Sequence, residues 1–170
     1  TKVEAEKAIK SLQEVLGSGS VMKNIPPSMG SEDFAFMLAK RPGAYILLGA
    51  GGASRAVTYA LGSQDEVKRV TILNRTVERA EALAIDMQKI TGKQIDVGPM
   101  DAETQCNVFA EAGVVVNTTS LGMHPKVDAS PLVDVGAVHP DLVLYDTVFN
   151  PLETQLMREF QSAGAPAFGG

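Results

Sequence analysis

Short apolar runs alternate with longer amphipathic stretches from residue 44 onward. The apolar and β-branched runs predict buried strands at 44–48, 69–73, 94–97, 114–116 and 142–145. The stretches between and after them predict helices at 53–61, 77–90, 102–112 and 152–163. Strands that alternate with helices of this length are joined by right-handed crossovers. The pattern therefore predicts the α/β class, a doubly wound and mostly parallel Rossmann-like sheet.

The first 43 residues do not follow this rhythm. A helix is predicted at 3–16, and Pro26 and Pro27 then forbid helix. Ser31 can cap a short helix at 31–38, before Arg41-Pro42-Gly43 ends the segment. We therefore predict two parts, an N-terminal helical or irregular appendage at residues 1–43 and a Rossmann-like domain at residues 44–170.

Composition narrows the classes of function. The 170 residues carry 15 Lys and Arg against 20 Asp and Glu, a net charge of −5, which argues against a nucleic-acid or anionic-membrane partner. The apolar runs are too short to cross a bilayer. Cys106 is the single cysteine and fits a reducing compartment, so we expect a cytoplasmic protein. Two histidines, His124 and His139, make a histidine-rich metal site hard to build.

A glycine-rich turn joins the first predicted strand to the first predicted helix, which is the context of a dinucleotide-binding fingerprint. Gly49 would give the turn its backbone freedom, and Gly51 would let a pyrophosphate approach the main chain. The N–H groups of the following helix would point at the phosphates. The alternative is an ordinary turn whose glycines serve geometry alone. The candidate cofactor-binding residues here are Gly49, Ala50, Gly51, Gly52, Ala53 and Ser54, the last in place of the third glycine.

The end of the second strand indicates which cofactor is bound. A carboxylate there would accept the ribose hydroxyls of NAD, but this strand ends at Asn74-Arg75-Thr76, with Arg79 one helical turn beyond Arg75. Guanidinium groups attract a 2′-phosphate and bind it in a bidentate manner, so we expect NADP. The alternative is that both arginines pair with Glu78 and Glu81 on a solvated face.

Four ordered motifs resemble the shikimate/quinate dehydrogenase family over about residues 45–170. They are GAGGASRA at 49–56, NRTVER at 74–79, NTTSLGM at 117–123, and Tyr145-Asp146 followed by NPLET at 150–154. The resemblance implies an oxidoreductase of the shikimate pathway of aromatic amino acid biosynthesis. Such an enzyme transfers hydride between NADP and the shikimate/3-dehydroshikimate pair, or the quinate pair.

The resemblance also implies roles for single residues. Asn74, Arg75, Thr76 and Arg79 would hold the adenosine ribose and its 2′-phosphate. The loop after the fourth strand would lie under the ribose and nicotinamide, with Tyr145 at the substrate cleft and Gly170 near the nicotinamide. The cofactor-binding candidates of that loop are Asn117, Thr118, Thr119, Ser120, Gly122 and Met123. The alternative for each polar loop residue is a strand cap, and Tyr145 could equally be a packing aromatic.

Family members carry an N-terminal substrate lobe with a catalytic Lys and Asp, and a final helix that supplies a Gln. Neither has a counterpart in these residues, and Lys126, in a predicted loop, is a poor candidate base. We therefore expect no catalytic residue here and an active site that is incomplete without a second lobe.

Residues 1–48 resemble a different family, the C-terminal part of metal-dependent aminoacylases and hippurate hydrolases. The likeness rests on NIPPSMGSEDFA at 24–35 and RPGAY at 41–45. The other metal ligands of that family have no counterpart, so Glu32 and Asp33 have no ligand set to join and we expect no metal. Both resemblances share the strand at 44–48, which suggests a chimera joined there.

Three hypotheses of function follow from the sequence. The first is the NADP-binding domain of a shikimate/quinate dehydrogenase-type oxidoreductase. The second is a nucleotide-binding or scaffold domain without enzymatic activity. The third is a remnant of a metal-dependent amidohydrolase. Cofactor binding would separate the first two from the third, and turnover with shikimate would separate the first from the second.

Overall fold

The computed structural model describes residues 43–169, which lie within one compact unit. Each predicted strand between residues 44 and 145 forms, with ends shifted by two residues at most. The strands are β1 (Gly43–Leu48), β2 (Val67–Leu73), β3 (Ile95–Gly98), β4 (Val114–Asn117), β5 (Val143–Asp146) and β6 (Ala167–Gly169). The helices are α1 (Gly52–Gly62), α2 (Val77–Thr91), α3 (Ala102–Phe109) and α4 (Gln155–Ser162).

The six strands form one parallel sheet in the order β3-β2-β1-β4-β5-β6. The chain runs outward from β1 to β3, returns to the centre at β4, and continues outward on the other side. The strand order therefore reverses between β1 and β4, where Leu48 lies beside Asn117. This is the doubly wound Rossmann-like arrangement that the sequence predicted, and its ligand crevice is expected at that reversal.

Alternate residues of the strands enter two apolar cores, one on each face of the sheet. On one face, side chains of β1 and β2 such as Leu47 and Ile72 pack with Leu83 and Met87 of α2. On the other face, Leu48 and Leu144 pack with helices α3 and α4. Burial on both faces explains why the central strands are continuous apolar runs rather than alternating ones.

Three features differ from the sequence prediction. Helix α4 begins at Gln155 rather than near Leu152, because the Thr154 hydroxyl caps it by accepting from Met157 N at 3.2 Å. Strand β6 was not predicted, and α3 ends at Phe109, short of Ala112.

The crossover from β4 to β5 contains no α-helix and only a 3-10 turn at Val135–Ala137. This connection lies over the carboxyl edge of the sheet, where it becomes part of the site described below.

The predicted helices at 3–16 and 31–38 lie outside the described residues, as does most of the proposed appendage. Among the helices of residues 43–169, none combines the length and the hydropathy that a transmembrane span requires.

Candidate functional site

The turns that follow β1 and β4 are in direct contact. Gly49 has a positive φ of 107°, and a Cβ placed on it would lie 3.0 Å from Cγ2 of Thr119 and 3.1 Å from Oγ1 of Thr118. Only glycine accepts this conformation and this contact together without strain. Gly49 therefore lets the two turns meet at the point where the strand order reverses.

Helix α1 begins directly after this turn, and no side chain within residues 43–169 caps its first N–H groups. Its N-cap is Gly51, and no acidic residue lies in its first turn. Asp101 and Thr154, in contrast, cap α3 and α4 with side-chain oxygens. A Cβ on Gly51 or Gly52 would meet nothing within 4 Å, so the backbone here is open to a ligand. Such a helix end attracts an anion.

A cleft of about 380 Å³ lies beside this turn, at the carboxyl edge of the sheet. Its walls come from the segments that follow β2, β3 and β4 and from the β4–β5 crossover. The lining residues are Asn74, Arg75, Met100, Thr119, Ser120, Leu121, Ser130, Pro131 and Val133. Among these described residues Arg75 alone is ionisable, so no carboxylate lines the cleft. Its volume lies within the range of small-molecule sites.

The turn after β2 holds the two predicted phosphate-binding arginines. Asn74 Nδ2 donates to the Thr76 carbonyl at 2.7 Å, and Arg79 N donates to the same carbonyl at 3.1 Å. These bonds fix the turn between β2 and α2, and Arg75 and Arg79 are exposed beside it. Within residues 43–169, the ion pairs are formed by Arg55, Arg69 and Arg158. Neither Arg75 nor Arg79 therefore pairs with Glu78 or Glu81 there.

The opposite wall of the cleft is held by Gln105, which is fully buried on α3. Its amide nitrogen donates to the Pro131 carbonyl at 2.8 Å, and its amide oxygen accepts from Val133 N at 3.0 Å. Ser130 Oγ donates to a carboxylate oxygen of Glu159. No local pattern in the sequence indicated these residues, since each bond joins positions that are 26 to 29 residues apart.

Two of the polar loop residues predicted to bind cofactor have side chains that face the protein interior. Thr118 Oγ1 donates to the Leu48 carbonyl at 2.8 Å. Asn117 is fully buried, and its Oδ1 accepts from N and Oγ1 of Thr119 at 3.0 and 2.8 Å. Both side chains therefore act as caps and turn formers, which is the alternative that the sequence left open. Thr119 and Ser120 do line the cleft.

Asp146 is the buried carboxyl group below this loop, at the end of β5. Its Oδ1 accepts from Asn117 Nδ2 at 2.9 Å and from Val148 N at 3.0 Å, and its Oδ2 accepts from Thr154 Oγ1 at 2.6 Å. Burial raises the pKa of Asp146 above its ordinary value, although the three hydrogen bonds it accepts act to lower it. The sequence indicated Asp146 only as part of a motif and gave it no role.

The other predicted site residues differ in their burial. Ser54 is fully buried on α1, as expected of a small residue at the helix–strand contact, and within residues 43–169 its hydroxyl has no hydrogen-bond partner. Gly122 adopts a positive φ of 87°. Met123 is partly exposed, whereas Tyr145 is 8% exposed and packs in the core on the α2 face of the sheet. Gly170 lies outside the described residues.

No cluster of three or more metal-ligating side chains occurs within residues 43–169. Glu32 and Asp33, the acidic pair of the amidohydrolase-like segment, lie outside that range. The expectation of no metal and the chimera hypothesis both remain predictions.

The strand order, the open glycine turn and the cleft at the reversal of strand order define the doubly wound, Rossmann-like class of domain. A family model described as Shikimate / quinate 5-dehydrogenase matches residues 38–132. The chain belongs to this family, which confirms the resemblance drawn from its motifs.

Individual relatives agree in sequence and in fold. The shikimate dehydrogenase (NADP(+)) of Symbiobacterium thermophilum is 45% identical over 126 residues, which are 74% of this chain and 42% of that protein. Shikimate 5-dehydrogenase from Listeria monocytogenes, solved with shikimate and NAD, has a TM-score of 0.72 at 25% identity, covering 84% of this chain and 51% of that one.

A shikimate dehydrogenase solved in complex with NADP+ has a TM-score of 0.67 at 27% identity, over 98% of this chain and 49% of that one. The chain thus spans less than half the length of the curated relative and about half of each solved one.

Proposed function

We propose that this chain is the NADP-binding part of a shikimate/quinate dehydrogenase-type oxidoreductase. The observation that carries the proposal is the position of Arg75 on the wall of a cleft that no described carboxylate lines. Its guanidinium forms no ion pair with the residues that the structure describes. A cleft with this charge favours a cofactor with a 2′-phosphate over one with free ribose hydroxyls. The curated relative is named as NADP(+)-dependent, which supports the same choice.

Three portions of NADP have suitable groups in this part of the chain: the 2′-phosphate, the pyrophosphate and the adenosine portion. The 2′-phosphate would lie against Arg75 and Arg79, and the pyrophosphate against the uncapped N-terminus of α1. Thr119 and Ser120 share the cleft with Asn74 and Arg75, which favours the adenosine portion for this stretch of the loop. The family resemblance had placed the same stretch under the ribose and nicotinamide.

We propose further that these residues do not complete the catalytic site by themselves. NADP supplies hydride transfer when bound, and a general base must take the proton of the substrate hydroxyl. The described residues that line the cleft offer hydroxyl, amide and apolar groups and one guanidinium, none of which is a suitable base. Substrate of the shikimate or quinate type would therefore bind productively only with a second lobe.

Turnover tests this second proposal. The chain alone should form no NADPH from shikimate or quinate above background, because orientation and general-base catalysis, the latter worth about 10²–10⁴-fold, both need the second lobe. Addition of a substrate lobe from a related dehydrogenase should produce turnover. Robust turnover by the chain alone would show that it contains a base that the cleft does not reveal.

The cofactor assignment is tested by calorimetric titration of the full chain with NADP+ and NAD+. We expect NADP+ to bind at least about tenfold more tightly, which corresponds to about 1.4 kcal/mol. Equal affinities would contradict the assignment.

Two broader expectations remain part of the proposal. The free, exposed thiol of Cys106 fits a reducing compartment, so we place the protein in the cytoplasm. The net charge of −5 argues against a nucleic-acid partner.

A further inference from the structure

A continuous line of hydrogen bonds runs from the start of α4 to the wall of the cleft. Met157 N donates to Thr154 Oγ1 at 3.2 Å, and Thr154 Oγ1 donates to Asp146 Oδ2 at 2.6 Å. Asp146 Oδ1 then accepts from Asn117 Nδ2 at 2.9 Å. The buried part of this line, Thr154, Asp146 and Asn117, is fully shielded from solvent.

The line continues from Asn117 into the cleft. Asn117 Oδ1 accepts from both N and Oγ1 of Thr119, and Thr119 Oγ1 accepts from Leu121 N at 3.1 Å. Thr119 and Leu121 both line the cleft. The position of this wall therefore depends on which way the Asn117 amide points.

In its ionised form the Asp146 carboxylate decides that orientation, because it then only accepts hydrogen bonds. Facing it, Asn117 must present its NH2 group, and its oxygen is then left to accept from Thr119. A reversed amide would set two oxygens against each other at Asp146 and two donors against each other at Thr119. Burial makes both mismatches costly.

We propose that Asp146 is a positioning residue for the cofactor, acting through Asn117 to hold the Thr119–Leu121 wall of the cleft. The proposal rests on the cofactor assignment made above. It assigns a role to Asp146 of the Tyr145-Asp146 motif and to Thr154 of the NPLET motif. Both residues are too deeply buried to touch a ligand in the cleft.

Three variants of the full chain test this role by calorimetric titration with NADP+ and NAD+. Asp146→Ala removes the acceptor that orients Asn117, and both affinities should fall about tenfold with their ratio unchanged, because Arg75 is untouched. Asp146→Asn can keep an oxygen toward Asn117, so affinity should stay within about threefold of the parent. Phe160→Leu, in the core on the buried side of α4, lowers stability without removing a hydrogen bond of the line and should bind as the parent does.

A second readout does not depend on cofactor at all. Hydrogen exchange of the Thr119 and Leu121 amides should quicken in Asp146→Ala and stay protected in Asp146→Asn and Phe160→Leu. If Asp146→Ala does not fold, Asn117→Ala replaces it, since it removes the amide that joins Asp146 to Thr119. Asn117 is fully buried and does not line the cleft, and the variant should weaken NADP+ binding to a similar degree.

The outcomes separate the two proposals. Loss of affinity in Phe160→Leu equal to that in Asp146→Ala would reduce Asp146 to a stability role and overturn the inference. Unchanged amide protection and affinity in Asp146→Ala, or in Asn117→Ala where it is needed, would overturn it as well. A parent chain that binds neither cofactor would instead overturn the proposed function, and amide exchange would still report on the line of hydrogen bonds.

Discussion

Gly49 and Thr119 approach so closely that a Cβ on Gly49 would lie 3.0 Å from the Thr119 methyl group. The turn after β1 and the turn after β4 thus pack directly against each other. The φ of 107° at Gly49 adds a second constraint, since other residues rarely adopt it. Both halves of the doubly wound sheet depend on this position to bring their ligand-binding turns together.

The first prediction concerns that contact. Gly49→Ala should lower the free energy of unfolding by about 1–3 kcal/mol, because alanine is strained at this φ and its methyl group presses on Thr119. Urea denaturation followed by circular dichroism measures the change. A stability equal to that of the parent would mean that the two turns can separate at no cost.

Gly51 gives the contrasting prediction, since its φ is −100° and a Cβ there would meet nothing within 4 Å. Gly51→Ala should change the free energy of unfolding by no more than about 1 kcal/mol, the difference between glycine and alanine at an N-cap. It should nevertheless weaken NADP+ binding about tenfold, because the methyl group occupies the surface that the pyrophosphate approaches. Undiminished binding would show that the phosphates lie elsewhere.

A third prediction uses the buried carboxyl of Asp146, whose pKa burial raises above 3.8. The folded state then holds the proton more firmly than the unfolded state does. The contribution of Asp146 to stability is greatest below pH 3.8 and is lost as the pH rises through the raised pKa. Asp146→Asn carries no titrating group there. The stability of Asp146→Asn relative to the parent should therefore rise as the pH increases from about 4 toward neutrality.

Urea unfolding of both proteins across this pH range measures the difference between their free energies of unfolding. The contributions of all other titrating groups cancel in that difference. A difference that stays constant with pH would show that Asp146 has the same pKa in the folded and unfolded states.

Much of the sheet could be predicted because its signals are local. Buried strands such as Val114–Asn117 are contiguous apolar or β-branched runs, and the glycine turn stands directly between a strand and a helix. Strand β6 escaped prediction because it has three residues and lies at the edge of the sheet. The start of α4 was misplaced because apolar Leu152, which is 82% exposed, suggested a helical position where the chain is still irregular.

The site was predictable on one side only. Arg75 and the glycine turn carry recognisable chemistry in their local sequence, so they could be identified without a structure. The wall at Ser130–Val133 is set by Gln105 through bonds across 26 and 28 residues, which leave no local pattern. Asn117 and Thr118 are polar residues of types that often bind ligands, but only the structure shows that their polar groups point inward.

The central claim is that Arg75 selects NADP, and the ratio of NAD+ to NADP+ dissociation constants in the Arg75→Ala variant tests it most directly. A matched control is Arg69→Ala at the opposite end of β2, where Arg69 pairs with Asp96 and Glu111 away from the cleft. Loss of a charge-assisted contact of about 1.5–3 kcal/mol should lower the ratio about tenfold or more in Arg75→Ala and leave it unchanged in Arg69→Ala. A ratio in Arg75→Ala equal to that of the parent would contradict the account.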